Sequence, residues 1–597
     1  MKKKRILKKK GCQGQLENRH LNQDKTPYSL SRRKFLRNIG GITAATLAAN
    51  VVKFPPMSGP KNIGAEASEI ESGNGQQRRN QAYQIRHEAA LFQKNLPLSK
   101  HPRNGDEALY QNKIGNYSKG LLHNSVGEVD PVAYQALRAA IASGKFKSFD
   151  ALAANGHMGC PDPEHQRRFV NPLAGYAFDL EGTDSHQCTM RAAPAFASAE
   201  EAGEIAELYW MSLLRDVNFV DYKTHPLAHA AADDLSNFSD FHGPKQGGKV
   251  THRTLFRDKY PGCITGHYIS QFLLKDAPFG AQRVDQRILA TTAVDFMTDF
   301  GSWLKVQNGF QPTVSQTYDN LVFCRNGRDL NQYVHKDALY QAYFVACLIL
   351  LANGIPYNMG NPYGQTPDPG SGMPLPTNVS GSLTQVGFGT FGVPHILASL
   401  TEVSTRALKA VWYQKWLVHR RLRPEEFGGR VENIRLGNRT YADYPISQEL
   451  FDSPVLDKVF NRFDTHLLPM AFPEGSPMHT SYGSGHATVA GACITILKAW
   501  FDESAIIPDT VVPSSDGTTL EPYIGQPLTV GGELNKLASN ISQGRNMAGV
   551  HWRTDATESN LLGEEIAISI LRDQKATYHE PFSGFTFTRF DGTKITI

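Results

Sequence analysis

Cysteine is scarce in this chain, with seven in 597 residues. No two stand close enough for a zinc-type pair or for the Cys-x2-Cys-His of covalent haem attachment. Nothing after the N-terminal segment reaches 18 uninterrupted apolar residues, so the sequence offers no good transmembrane anchor. No internal repeat of fixed period is found, which argues against a solenoid or propeller. Excess positive charge is also missing once its location is considered. The whole chain has 62 Lys/Arg against 57 Asp/Glu, yet 15 of those bases and only 3 of the acids fall in residues 1–67, so the remainder carries a formal charge near −7. Nucleic-acid binding loses its only support on that count. Of the six cysteines beyond residue 67, Cys347 and Cys493 sit in apolar helical runs and read as buried thiols. The spacing leaves a Cys160–Cys188 pair open in an oxidising compartment.

What the chain does have is an ordered set of cations, a Ser-Gly turn and two histidines. Lys415 and Arg423 lie in the run Lys415 to Glu425, Ser484-Gly485-His486 opens a small-residue apolar stretch, and Arg545 precedes His551 by six residues. Such residues can enclose a tetrahedral oxyanion. Arginine offers a planar fork of donors, lysine a mobile point charge, and each cation at about 4 Å is worth roughly 4 kcal/mol at an effective dielectric near 20. A Ser N-cap followed by free N–H groups at a helix N-terminus is a ready anion site, with His486 in the first turn. Residues 394–422 read as one long helix, and Pro424 biases Arg423 out of the helical region where that helix stops. Gly549 lets the chain turn His551 back towards Arg545. Asp555, four residues after His551, can accept the proton of one ring nitrogen and leave the other as a ligand. Taken singly, each piece has an ordinary structural explanation, such as a turn or a basic helix end matching the helix dipole. The ordered set points to phosphoryl transfer or to vanadate-dependent oxidation.

On these motifs the chain resembles the superfamily of vanadium haloperoxidases and type 2 phosphatidic-acid-type phosphatases. It is most similar to the red-algal and cyanobacterial vanadium bromoperoxidases. The resemblance runs through Ala407–Lys415 to Glu425, through Glu474-Gly475-Ser476-Pro477, Ser481–Ala487 and Gly532–Ala538, and ends in Gly544–His551. Outside the site it includes Phe178–Gly182, Phe296–Asp299 and Leu348–Gly354, covering roughly residue 100 to the C-terminus. It implies vanadate as cofactor, with His551 coordinating the metal. Lys415, Arg423 and Arg545, with Ser484 and the Gly485 N–H, would hold its oxygens. His486 would be the acid–base group, His479 a supporting histidine, and Asp337 the carboxylate orienting His486. The implied partners are hydrogen peroxide, a halide (bromide, iodide, possibly chloride) and an organic acceptor, with hypohalous acid as the halogenating product. The rival within the superfamily is an exported acid phosphatase using His551 as nucleophile and His486 as general acid.

Two departures from the family pattern stand out. Trp412, nearly a helical turn before Lys415, is expected to face the same pocket at a position where relatives differ between Arg and an aromatic residue. Thr480 stands where many relatives have Pro. The Gly/Pro-rich stretch 359–391 reads as a surface loop. At the start, Ser31-Arg32-Arg33-Lys34-Phe35-Leu36, an apolar stretch over 39–52 and Ala65-Glu66-Ala67 match a twin-arginine export signal with a cleavage site, making residues 1–67 a leader and the working compartment periplasmic or extracellular. Helical patterns at 198–216, 337–353, 394–422, 485–502 and 556–573, against short strand signals at 582–588 and 594–597, give a mainly α chain. The resemblance implies two four-helix bundles. The expected division is an N-terminal helical region with oligomer contacts (68–330) and a C-terminal helical region with the vanadate site (331–597), packed as one unit. It also implies a homo-oligomer, as large as a dodecamer.

Overall fold

A Ser N-cap and a run of small residues set the helix on which the site is built. The structure is a computed structural model describing residues 75–365, 381–382 and 384–597. The twin-arginine leader and the middle of the 359–391 stretch lie outside the described residues. Eight helices position the site: α1 (Ala199–Leu214), α2 (Gly327–Lys336), α3 (Gln341–Ala352), α4 (Val393–Tyr413), α5 (Pro424–Arg435), α6 (Gly485–Trp500), α7 (Val530–Met547) and α8 (Arg553–Lys575).

Every residue of α6 except His486 is buried, because α3, α4, α7 and α8 surround it. Glycine permits the closest approach. A Cβ on Gly491 would lie 2.0 Å from the Asn560 carbonyl oxygen of α8, and one on Gly563 would lie 2.1 Å from that of Thr488 in α6. These two positions exclude any side chain and let the backbones of α6 and α8 touch. Helices α4, α6, α7 and α8 form one four-helix bundle. A second group gathers on α1, which is buried along nearly its whole length and packs against Pro226–Asn237, α5 and Val455–Phe463. That group draws on chain from before and after residue 330, which itself lies inside α2, and Arg79–Ile597 forms one compact unit. Strand content among the described residues is four two-stranded antiparallel ribbons, the last pairing Thr586–Thr588 with Lys594–Thr596.

Three expectations change. The helix expected over 394–422 stops being regular at Tyr413, widens into a π-helical turn over Gln414–His419 and ends at Arg420, whose φ is 49°. The wider turn buries Lys415 and Trp416 together, with Trp416 meeting the rings of Tyr117 and Phe169 edge-on. The helix expected over 337–353 begins at Gln341, and a separate α2 precedes it, capped by the Asn326 side chain accepting from Asp329 N at 3.0 Å. Helix α7 is not among the expected helices, although Val530, Leu534, Leu537, Ala538 and Ile541 fall at helical spacing. Its Asn540 and Gln543 are buried yet satisfied, Asn540 bonding Ser270 N and the Tyr268 carbonyl, Gln543 the Asp258 carboxylate. The Cys160–Cys188 pair left open by spacing does not form: the six cysteines among the described residues are buried free thiols. No single described helix is long and apolar enough to cross a membrane; α2 and α3 reach that length only as a pair bent by 102°.

Burial, together with a neighbouring arginine, pulls His123, His267 and His419 down to about 3. An unfolded histidine titrates near 6.5. Between those values the unfolded chain binds protons that the folded chain refuses, so stability is full above pH 6.5 and falls as pH drops, by up to about 1.4 kcal/mol per pH unit for each histidine. Urea unfolding at pH 7.5 and 5.5 should show a clearly lower midpoint at 5.5; equal midpoints would contradict the buried-neutral state of these rings.

Candidate active site

The N-terminus of α6, the corner between α2 and α3, the π-helical turn and the C-terminal end of α7 meet at one cavity of about 420 Å³. Gly485, His486, Asp337, Trp412, His479, Arg545 and His551 line it. Behind that wall, Arg423 and Asp555 hydrogen-bond to His551, Lys415 lies beside the Trp412 ring, and Ser484 directly precedes Gly485.

His551 is placed by Gly549 (φ 81°), whose left-handed backbone turns the chain after α7. Its Nδ1 lies 2.7 Å from Asp555 Oδ2. The buried carboxylate accepts the Nδ1 proton, so Nε2 carries the lone pair, and an Arg423 guanidinium N–H points at it from 3.1 Å. Burial, reinforced by Arg423, Lys415 and Arg545, holds this ring well below the usual histidine range, so it is neutral and ready to donate electrons. His479 is depressed in the same way, by burial and then by Lys415 and Arg423.

The cations are fully buried. Arg423 has extended backbone (φ −85°, ψ 155°) as the N-cap of α5, as Pro424 requires, and its N–H is held by Glu426 at 2.8 Å. Its guanidinium spans the His479 and Val550 carbonyls and both rings. Lys415 Nζ rests on the carbonyls of Thr480 and Ser481 at 2.8 and 2.9 Å and lies 5.6 Å from the Trp412 ring. Arg545 donates to the Val334 carbonyl at 2.9 Å, while its Nε is buried with no partner. Burial pushes Arg545 down to about 10 and, with Arg423, pushes Lys415 well below its ordinary value. Asp337 and Glu474 in the wall and Asp555 behind it offset only part of the charge, so the three cations still repel one another and lose their hydration. A multiply charged oxyanion removes both penalties.

Ser484 caps α6, its Oγ accepting from Ala487 N at 3.3 Å. A Cβ on Gly485 would come within 3.2 Å of the Trp412 ring, a tight contact that glycine avoids. His486 Nε2 lies 3.1 Å from Asp337 Oδ1, which leaves Nδ1 as the nitrogen not engaged by the carboxylate. Burial raises the Asp337 carboxyl, but His486 and Arg545 outweigh it and the net shift is downward, so Asp337 is ionised.

The motifs did not reveal the support behind Asp555. Arg421 donates to Asp555 Oδ1 at 3.0 Å, to Glu204 at 3.0 Å and to Glu201, and lies 4.5 Å from the Trp552 ring. The available signal was the acid stripe Glu201, Glu204, Glu207, three residues apart on one face of an otherwise apolar helix. Also unanticipated is a His335–Glu474 pair at 2.6 Å in the cavity wall.

A neutral histidine backed by a carboxylate, three buried cations and a helix N-terminus in a helical bundle define an enzyme class that seats a tetrahedral oxyanion on an imidazole. Residues 404–580 match the family described as the VCPO second helical-bundle domain. The chain is 37% identical to the vanadium-dependent bromoperoxidase of Corallina pilulifera, over 88% of this chain and 100% of that one, and 34% identical to that of Ascophyllum nodosum, over 81% and 86%. Its structure is similar to the homohexameric second vanadate-dependent bromoperoxidase (AnII) of Ascophyllum nodosum, with a TM-score of 0.79 at 28% identity, covering 94% of this chain and 95% of that chain. The chain belongs to the vanadium-dependent haloperoxidase family, and vanadate is its cofactor.

Relief of cation repulsion makes orthovanadate a stabiliser. At a hundred times its Kd it adds about 2.7 kcal/mol. The melting temperature of vanadate-free protein should rise with orthovanadate, and excess phosphate should compete; a melting temperature indifferent to vanadate would contradict this charge balance.

Proposed function

We propose that His551 Nε2 is the vanadium ligand and that Lys415, Arg423 and Arg545, with Ser484 and the Gly485 N–H, hold the vanadate oxygens, in a peroxidase that oxidises bromide with hydrogen peroxide. The observation that carries this reading is the His551–Asp555 pair, which fixes a neutral imidazole with its free nitrogen among three buried cations. The residues fit the group on two further counts: Arg545 Nε is an unpaired buried donor, and Gly485 leaves room that a Cβ would fill.

When bound, vanadate supplies Lewis-acid activation of hydrogen peroxide. The protein supplies the rest. Its cations neutralise the oxyanion in a site walled off from bulk water, where fixed donors act more strongly than in solution. His486, braced through Nε2 by Asp337, holds or releases a proton at Nδ1. The overall reaction joins halide, peroxide and one proton to give hypohalous acid and water, so one proton must be delivered per turnover. Lys415, held below its ordinary pKa, contributes a hydrogen-bond donor that is easily polarised.

The homohexameric relative supports a homo-oligomer for this chain; a dodecamer is the larger assembly implied by family resemblance. The twin-arginine pattern at 31–36 supports export to the periplasm or beyond. N-terminal sequencing of protein recovered from outside the cytoplasm should begin near Ser68; an intact Met1 there would refute cleavage.

The deciding assay is peroxide-dependent bromination of a dye by purified protein, before and after orthovanadate, alongside phosphate-ester hydrolysis. Bromination should appear with vanadate and fall with competing phosphate. Lys415→Ala and His551→Ala should each cut it by at least a hundredfold, about 2.7 kcal/mol of barrier. Ester hydrolysis inhibited by vanadate, with no bromination, would instead make the protein a phosphatase.

A further inference from the structure

A tetrahedral oxyanion occupies on the order of 120 Å³, taking about 30 Å³ for each of its four water-sized oxygens. The cavity measures about 420 Å³, so more than half of it is unused by the cofactor. The cavity adds apolar surface to the cation cradle, and Trp412 and Phe472 join the two. Val170, Leu339, Leu408, Trp412 and Phe472 give it apolar and aromatic walls. These walls are fixed: Trp412 Nε1 donates to the Val170 carbonyl at 3.0 Å, and the Phe472 ring stacks on His335 with centroids 3.8 Å apart and planes 12° from parallel.

One polar group in this region has no task in holding the oxyanion. Glu474 accepts from His335 Nε2 through Oε1 at 2.6 Å, and no other described side chain bonds its carboxylate, whose remaining contact is its own backbone N–H. Its backbone carbonyl is pinned by Arg167 at 2.7 Å and Lys119 at 3.0 Å, so the carboxylate cannot swing away with its loop. Its side chain is 28% exposed. Burial raises its carboxyl, but His335 and then Arg167 outweigh that and hold it down to about 2, so it is an anion at any working pH. An ionised acceptor with capacity left for another donor, set at the edge of an aromatic slot, recognises a neutral ring bearing an O–H donor. An anionic guest is opposed by Glu474 and Asp337, and a cationic one by Arg167 and Arg545, all in the same wall.

We propose that this half of the cavity seats the organic acceptor itself, and that Glu474 selects phenol-type molecules by accepting their O–H. The inference rests on the haloperoxidase reading and gives it a substrate class. With hypohalous acid formed in the same cavity, a ring carbon bonds to the halogen and the O–X bond breaks. The ring C–H proton leaves with the hydroxide as water; carbon is oxidised and halogen reduced, with no further reagent. The phenol O–H stays in place throughout, and its bond to the carboxylate raises electron density on the ring. Glu474 is thus a substrate-binding residue and His335 its positioning partner.

Calorimetric titration of vanadate-free protein with phenol and with anisole, its methyl ether, tests the seat without turnover. Phenol should bind saturably and anisole at least fivefold more weakly. Glu474→Met, which removes the acceptor at nearly constant volume, should weaken phenol fivefold or more while vanadate uptake, read by equilibrium dialysis, shows that the variant is folded. Absence of saturable phenol binding, or equal binding of the two ligands by the wild type, would overturn the proposal even if the variant failed to fold. In turnover, the ortho-to-para ratio of bromophenols should differ from that given by free hypobromite, and an identical ratio would place halogenation outside the cavity. Wild-type protein that binds phenol but brominates nothing with vanadate would overturn the peroxidase reading and leave the seat standing.

Discussion

The buried carboxylate of Asp555 holds the site together. Oδ2 takes the proton side of His551 and the Ser481 hydroxyl, and Oδ1 takes Arg421. Arg421 in turn is neutralised by Glu201 and Glu204 on α1. One carboxylate therefore joins the α8 N-terminus, the loop before α6, the segment after the π-helical turn and the helix at the centre of the other bundle. A buried ion pair is weak evidence for net stability, because desolvation consumes most of the Coulomb gain. Its clearer role here is specification. With Asp555 ionised and fully engaged, the His551 proton has one place to sit, and the nitrogen facing the cavity is the one with the lone pair.

The rest of the site works against stability. Lys415, Arg423 and Arg545 are brought out of water and close together, the carboxylates of Asp337, Glu474 and Asp555 do not make up for the lost hydration, and the depressed pKa values record that cost. Surrounding carbonyls of Thr480, Ser481, Val334, Val550 and His479 hold the cations in place. Such a cradle is preorganised: the donors are already oriented, so the oxyanion pays little to reorganise them. The same logic explains the neutral histidines, since burial and the neighbouring cations oppose a charge on either imidazole.

Much of this was legible in the sequence, for identifiable reasons. Residues suited to hold an ion are constrained in type and order, so Lys415, Arg423, Ser484-Gly485-His486, Arg545 and His551 stand out, and the structure gathers them around one cavity with Arg423 extended before Pro424, Gly549 at a positive φ and Ser484 as an N-cap. Asp337 and Trp412 also fall where expected, the first beside His486 and the second over Lys415. Elements whose identity depends on distant partners were harder to read. Helix α7 has Val530, Leu534, Leu537 and Ile541 at helical spacing, but its polar face is buried too, satisfied by chain some 270 positions away, and those polar residues dilute the pattern. Arg421 looked like one more base in a basic run until α1 supplied its acids. Glu474 and His335 belong to quoted motifs, but only tertiary structure pairs them.

The π-helical turn at Gln414–His419 has a consequence for how the chain can vary. An α-helix rotates about 100° per residue, and the wider turn adds the residue that lets Lys415 face Thr480 and Ser481 while Arg423, one short bend later, reaches His479 and His551. The interval between these two cations is therefore a matter of phase rather than of length. Deleting one residue from this turn would tighten it towards regular pitch and rotate one member of the clamp by about 100° around the helix axis, away from its partners, with every one of these side chains still present in the sequence. Point changes in this segment are graded in effect, whereas insertions and deletions act as a switch between a working clamp and none.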